Sequence, residues 1–248
     1  MSPHIVYGIH PVLHVLHTRP ESVQKMWLAF GKTGQGARHV LSLARTLRIP
    51  VTFKDRKALD RHAGTPHHQG VVAVVSERAP LTLEELLQAP RPHPHRVVLL
   101  LDRVQDPHNL GAIVRTANAA GADAVVLSRH GSAPMTPAAA KAAAGAMETT
   151  RICTVPNVVD AIESLKRSGF WVFGADPAGD RTLFEVDFHR DVCIVLGGEG
   201  RGLRPLVKKR CDARVRIPQW GDVQSLNVSV AAALFLYEVR RRTPDRHF

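Results

Sequence analysis

Apolar residues recur along this chain at two distinct spacings. Residues 71–75 (VVAVV), 96–101 (RVVLLL), 124–127 (AVVL) and 192–196 (VCIVL) are short apolar runs, β-branched most clearly at 71–75, and they predict buried strands. Residues 24–30, 49–53, 170–174 and 214–217 predict further strands. Residues 8–18, 37–47, 109–120, 158–167 and 225–241 place apolar side chains three and four apart and predict helices. Residues 137–147 form an alanine-rich segment that predicts one more helix.

From residue 96 onward strand and helix alternate, which predicts an α/β fold with a mostly parallel sheet covered on both sides. The first 76 residues predict a smaller α/β unit. Residues 77–95 change character: a short helix at 82–88 lies between prolines, and RPHPH cannot continue it. The expected organisation is therefore 1–76, a linker at 77–95, and 96–248.

Charge narrows the class of partner. The chain carries 33 Lys and Arg against 22 Asp and Glu, a net charge of +11. Residues 1–76 hold ten basic and three acidic side chains, so +7 falls in under a third of the chain. Such a balance predicts a polyanionic partner held through phosphates, with Arg19, Lys25, Lys32, Arg38 and Arg45 as candidate contacts. Aromatic residues are only 5%, which argues against a base-stacking platform as the main mode.

Other classes are disfavoured. No apolar run is long enough to span a bilayer, and the first ten residues do not read as a signal peptide, so a cytoplasmic protein without membrane contact is expected. Cys153, Cys193 and Cys211 lack CxxC spacing and read as free thiols. His10, His14 and His17 share one helical face, but no HExxH or cysteine partner accompanies them, and no metal is expected. GxxxxGK[ST] and GxSxG are both absent.

Three segments of the second part carry candidate chemistry. In 101–115 (LDRVQDPHNLGAIVR) a strand gives way to a polar loop and a helix. Sites in parallel α/β sheets lie beyond such strand ends, which makes Asn109 and Arg115 candidates; a plain helix cap and a solvated helix face are the ordinary alternatives. In 196–202 (LGGEGRG) glycine-rich backbone follows a strand directly, suiting either close approach to a ligand or a tight turn. Glu199 there would repel a phosphate and favours a cationic or adenosine-like ligand. In 217–237 (IPQWGDVQSLNVSVAAALFLY) Ser225 reads as the N-cap of a C-terminal helix. Leu226, Val230, Ala233, Leu234 and Tyr237 form its apolar stripe, and Asn227 lies at its polar start.

Taken in order, DPHNLGAIVRTANAAGADAVVL, IVLGGEGRGL and IPQWGDVQSLNVSVAAAL resemble the three motifs of the TrmH/SpoU family of SPOUT RNA methyltransferases. The N-terminal part, from YGIHPVLHVL to HHQGVVAVV, is similar to the L30e-like substrate-binding domain of that family. The resemblance spans nearly the whole chain. It implies a trefoil-knotted catalytic domain, a homodimer, and S-adenosyl-L-methionine as methyl donor. The implied activity is methylation of a guanosine ribose 2′-hydroxyl in the P-site loop region of 23S rRNA. A tRNA ribose methyltransferase of the same family and a non-catalytic RNA-binding assembly factor are the alternatives.

By motif match the resemblance implies Asn109, Arg115, Glu199, Ser225 and Asn227 as active-site residues, and Gly197, Gly198, Gly202, Ile217 and Leu226 as cofactor contacts. Ala144, in KAAAGAME, stands where many relatives carry a small polar residue. Transfer from a sulfonium to a weakly acidic alcohol needs orientation and stabilisation of the developing alkoxide. Arg115 suits the charge role. It does not suit the base role, because a guanidinium holds its proton with a pKa above about 12.

Overall fold

The computed structural model describes residues 4–31, 34–76, 81–89 and 94–242. The chain divides into two compact units, Met1–Ala79 and Pro80–Phe248.

The first unit runs β1 (His4–Tyr7), α1 (Ile9–Thr18), β2 (Val23–Ala29), α2 (Gln35–Thr46), β3 (Val51–Lys54), α3 (Arg56–Ala63) and β4 (Val71–Val75). Its sheet has the order β1-β4-β2-β3. The central β4 is antiparallel to both neighbours, while β2 and β3 run parallel. All five residues of β4 are buried, as its β-branched run predicts. Met26 and Leu28 of β2 join Val12, Val15 and Leu16 of α1 and Val40 and Ala44 of α2 in one core. The opposite sheet face carries a smaller cluster, Ala29, Leu59 and Val72, with Trp27 packed against it. Neither β1 nor α3 was predicted. In α3 only Ala58 and Leu59 are buried, so its sequence has almost no apolar period to read.

The second unit runs α4 (Leu83–Gln88), β5 (Val97–Asp102), α5 (Pro107–Ala119), β6 (Ala124–Ser128), α6 (Pro137–Ala143), α7 (Ala146–Thr149), β7 (Ile152–Val155), α8 (Val158–Arg167), β8 (Trp171–Ala175), β9 (Arg181–Thr182), β10 (Val192–Gly197), α9 (Pro205–Arg210), β11 (Ala213–Arg216) and α10 (Val228–Arg242). The seven strands form one sheet in the order β7-β6-β5-β10-β8-β11-β9, and every pair is parallel. The chain lays β6 and β7 to one side of β5, starts the other side with β8, and then returns β10 between β5 and β8.

Pleating divides the strand side chains between two cores. Val97, Leu99 and Leu101 of β5 face α5 and α10, in a cluster with Ile113, Val114, Phe235 and Leu236. Val98 and Leu100 face the other way, toward Ile162 and Leu165 of α8 and Val207 of α9. Leu83 and Leu86 of α4 join this second cluster, so the helix within the proline-rich stretch is packed into the second unit. Residues 77–80 and 90–93 of that stretch lie outside the described residues.

Two of the predicted helices differ from the sequence expectation, and α9 lies outside it. The alanine-rich segment is broken into α6 and α7 because Ala144 (φ 50°) and Gly145 (φ 91°) take the left-handed conformation, which ends a right-handed helix. The C-terminal helix starts at Val228, not at residue 225. Asn227 rather than Ser225 caps it: Asn227 Oδ1 accepts from Ser229 N at 2.8 Å, and its carbonyl accepts from Ala231 N at 2.9 Å.

Candidate active site

The parallel register pairs Asp102, the last residue of β5, with Gly197, the last residue of β10. Loops leaving these adjacent strand ends meet where the chain has reversed its direction across the sheet, the usual place for a ligand site in an open α/β sheet. Two ties fix the meeting. Gly198 N donates to the Asp102 carbonyl at 2.9 Å. The buried Asp102 carboxylate accepts from Arg204 Nε and Nη2, both at 2.8 Å, and from Arg204 N at 3.2 Å.

The glycines of this loop divide between close packing and the tight turn. A Cβ on Gly197 would overlap the backbone of Gly202 and Leu203, and one on Gly198 would overlap the Arg103 carbonyl. Both glycines are required by chain-on-chain packing. Gly200 and Gly202 have open space around them and positive φ of 75° and 63°, the residues that turn the loop back. Arg103 opposite also has positive φ, 64°, a strained value for a side-chain-bearing residue that no sequence pattern announces.

Glu199, at the tip of the loop, gathers the other segments. Its Oε2 accepts from Gln105 N at 3.0 Å, and its Oε1 accepts from Asp106 N at 3.4 Å and from Asn109 Nδ2 at 2.8 Å. Partial desolvation pushes the Glu199 carboxyl up. The hydrogen bonds from Gln105 N, Asn109 Nδ2 and the remaining backbone donors outweigh this and hold it below the ordinary carboxylate value. Glu199 is therefore an ionised tether at neutral pH.

Asn109 is buried and bridges onward. Its Oδ1 accepts from Asn227 Nδ2 at 3.0 Å. Asp106, not Asn109, caps α5, with its Oδ1 accepting from His108 N at 2.8 Å. A helix cap was thus the wrong ordinary explanation for Asn109; its amide is committed to Glu199 and Asn227. Three segments, the first of them 90 and 118 residues from the other two, are joined by one carboxylate and two amides. Gln105, Asp102 and Arg204 belong to this framework without having been singled out in the sequence. Asp102 was the most readable of them, as an acidic residue closing an apolar strand.

The remaining candidates lie apart from that chain of bonds. Arg115 is exposed on α5 and makes no hydrogen bond or ion pair among the described residues. Six helical positions separate it from Asn109, which turns it roughly 120° away around the helix. Ser225 is exposed, as is Leu226 at 38%. Ile217 is half-buried against the main core. From Ile217 to Leu226 no backbone or side-chain group is hydrogen-bonded among the described residues.

The stripe predicted on the last helix is not its core face. Ala232, Phe235, Leu236 and Val239 form its core face, whereas Val230, Leu234 and Tyr237 are 47%, 42% and 57% exposed. The helix thus has two apolar faces, and the predicted one is turned to solvent. Among the described residues no three His, Cys, Asp or Glu side chains converge as a metal site, and no helix is long and apolar enough to cross a membrane.

Fold and site together define a two-unit α/β protein with a polar site at the carboxyl ends of two adjacent parallel strands. The chain belongs to the SpoU rRNA methylase family, whose model matches residues 96–237. Residues 5–81 match the RNA 2′-O ribose methyltransferase substrate-binding family. Among its relatives is the 23S rRNA (guanosine-2′-O-)-methyltransferase RlmB of Pseudomonas aeruginosa, 42% identical, with 96% of this chain and 97% of that protein covered. The SpoU methyltransferase AviRb from Streptomyces viridochromogenes, solved in complex with the cofactor AdoMet, superposes with a TM-score of 0.78 at 29% identity, covering 97% of this chain and 91% of that one. A TrmH/SpoU tRNA-modifying enzyme from A. aeolicus matches with a TM-score of 0.56 at 28% identity, over 64% of this chain and 81% of that one.

Proposed function

We propose that the protein transfers the methyl group of S-adenosyl-L-methionine to a guanosine ribose 2′-hydroxyl of 23S rRNA in the cytoplasm. The observation that carries this reading is the bonded series Glu199–Asn109–Asn227, which unites the three family segments beyond the carboxyl ends of β5 and β10. It occurs in a chain that matches an RlmB over nearly its full length. The tRNA-modifying enzyme covers 64% of this chain against 96% for the RlmB, which favours rRNA over the tRNA alternative.

The residues present fit the cofactor. The backbone of residues 217–226 offers unpaired donors and acceptors beside the apolar side chains of Ile217 and Leu226, as an adenosine requires. Asn227, next in the chain, ties this stretch to the Glu199 loop through Asn109. We assign cofactor contacts to Ile217 and Leu226 and to backbone groups of the loop shaped by Gly197, Gly198 and Gly202. When bound, the cofactor supplies a methyl group activated on a sulfonium.

The protein's own residues orient the acceptor and stabilise charge. Glu199 holds the loops, with Asn109 as its bridge. Ser225 and Asn227 position the ribose. Arg115, with no competing partner, anchors a phosphate and stabilises the alkoxide that develops at the 2′-oxygen. The hydroxyl proton leaves to a phosphate or water, since the guanidinium keeps its own. The exposed stripe Val230, Leu234 and Tyr237 is covered by a second copy of the chain in a homodimer.

Radiolabelled methyl transfer to unmodified 23S rRNA, followed by mapping of 2′-O-methyl sites, tests the reading. A labelled guanosine in 23S rRNA is expected. Labelling of tRNA alone would replace it with the tRNA activity, and RNA binding without transfer to any RNA would leave a non-catalytic RNA-binding protein.

A further inference from the structure

The α3 face of the first unit carries an aromatic stack set among cations. Trp27 of β2 and His62 of α3 stack with ring centroids 4.0 Å apart and an interplanar angle of 21°. Lys25 Nζ and Lys54 Nζ each lie 5.5 Å from the centre of the indole. Lys25 and Trp27 are two residues apart on one strand and so share a sheet face. The indole is partly buried against Leu59 and Val72, whereas the His62 ring is exposed.

Among the described residues no carboxylate is ion-paired with the cations of this group. Asp55 is used as the cap of α3, its Oδ1 accepting from Ala58 N at 2.7 Å. Asp60 is paired with the buried His68 at 3.0 Å. Among the described residues Lys25, Lys54 and Arg61 have no ion pair. Their field is felt locally: after desolvation, Lys54, Arg61 and Lys25 hold the His62 imidazole below its ordinary pKa. Protection of a sheet edge accounts for Lys54, because β3 is an edge strand. It does not account for Lys25 on an inner strand or Arg61 on a helix.

An exposed neutral ring continuing an indole stack, beside cations that make no ion pair, matches a ligand with a flat π-face and neighbouring negative charges. We propose that the Trp27–His62 stack with Lys25, Lys54 and Arg61 is a nucleotide subsite for a single-stranded stretch of the RNA substrate. A base stacks on the outer face of His62, and the flanking phosphates sit among the three cations. This rests on the reading that the first unit holds RNA, and it adds what the low aromatic content argued against: recognition of an unstacked base as well as of backbone charge.

Binding of the full-length protein to unmodified 23S rRNA and to an oligouridylate, set against the base-free polyanion heparin, tests the subsite. His62→Ala is expected to weaken both RNAs about 5- to 100-fold, the range for loss of one stacked base, and to leave heparin affinity unchanged. His62→Phe is expected to restore RNA binding to within about threefold of wild type. Replacing Lys25 and Lys54 together by Ala is expected to reduce the salt slope for oligouridylate by roughly 1.4, two phosphates' worth. Unchanged RNA affinity in His62→Ala, or equal losses in His62→Ala and His62→Phe, overturns the subsite while the RNA reading stands. Failure of the wild-type protein to bind either RNA overturns both.

Discussion

Asn227 Nδ2 donates to Asn109 Oδ1 across 3.0 Å, joining the start of α10 to the start of α5 over 118 residues of chain. Asn109 passes the connection to Glu199, so the polar core of the site is a relay of one carboxylate and two amides. Each amide must present its oxygen and its nitrogen to the correct neighbour for the relay to close.

Asn109→Asp keeps the shape and breaks the relay, because a carboxylate then faces Glu199 Oε1 where an amide donated at 2.8 Å. One carboxyl of the new pair has its folded-state pKa raised. The variant should lose about 1–3 kcal/mol of stability at neutral pH and recover part of it on acidification, as that carboxyl protonates. Urea denaturation at pH 8 and pH 5 measures this; a variant as stable as wild type at pH 8 contradicts the relay.

The depressed Glu199 carboxyl sets a pH dependence of the opposite sign in the wild-type protein. Its stabilising contribution is present above the unfolded value of about 4.3 and is lost as pH falls through the lower folded value. Glu199→Gln lacks this titration. From roughly pH 5 downward the wild type should therefore lose stability more steeply than Glu199→Gln, and parallel pH profiles would sink the assignment.

The exposed Arg115 side chain makes no hydrogen bond or ion pair among the described residues, so Arg115→Ala should melt like wild type. Its methyl transfer should fall about 10²–10³-fold, as for removal of one preorganised charge-stabilising group. Single-turnover transfer at saturating RNA and cofactor is the measurement. Near wild-type turnover removes Arg115 from the mechanism.

Leu234→Glu places a charge on the solvent-facing stripe of α10 while leaving the Phe235 and Leu236 face untouched. Light scattering of the full chain should shift from dimer to monomer mass with the circular dichroism spectrum unchanged. A dimer of unchanged affinity places the contact elsewhere.

Gly198→Ala and Gly200→Ala separate the two uses of glycine in one loop. At Gly198 a methyl group overlaps the Arg103 carbonyl, and a loss of about 3 kcal/mol or failure to fold is expected. At Gly200 there is room, and only the positive φ of 75° opposes the change, at a cost of about 1 kcal/mol. Chemical denaturation of both variants ranks them, and the reverse order would show that the loop packs differently.

Local pattern alone determined much of this protein. The buried strands 71–75, 97–102, 124–128 and 192–197 announce themselves by short apolar runs rich in Val, Leu and Ile, and α8 by its helical period over 158–167. Such elements are legible because their burial is nearly uniform, so each residue carries the same signal. The three motif segments likewise pointed to Asn109, Glu199 and Asn227. Their bonding could not be read from the chain, since hydrogen bonds spanning 90 and 118 residues exist only after the sheet places β10 beside β5. The same holds for the two apolar faces of α10: spacing reveals a stripe, but only packing against Ile113 and Val114 of α5 decides which stripe is core. Glycine shows the limit most directly. Four glycines in six residues fit a ligand loop or a tight turn equally well, and the backbones of Arg103 and Gly202, brought within contact by tertiary folding, are what make Gly197 and Gly198 obligatory.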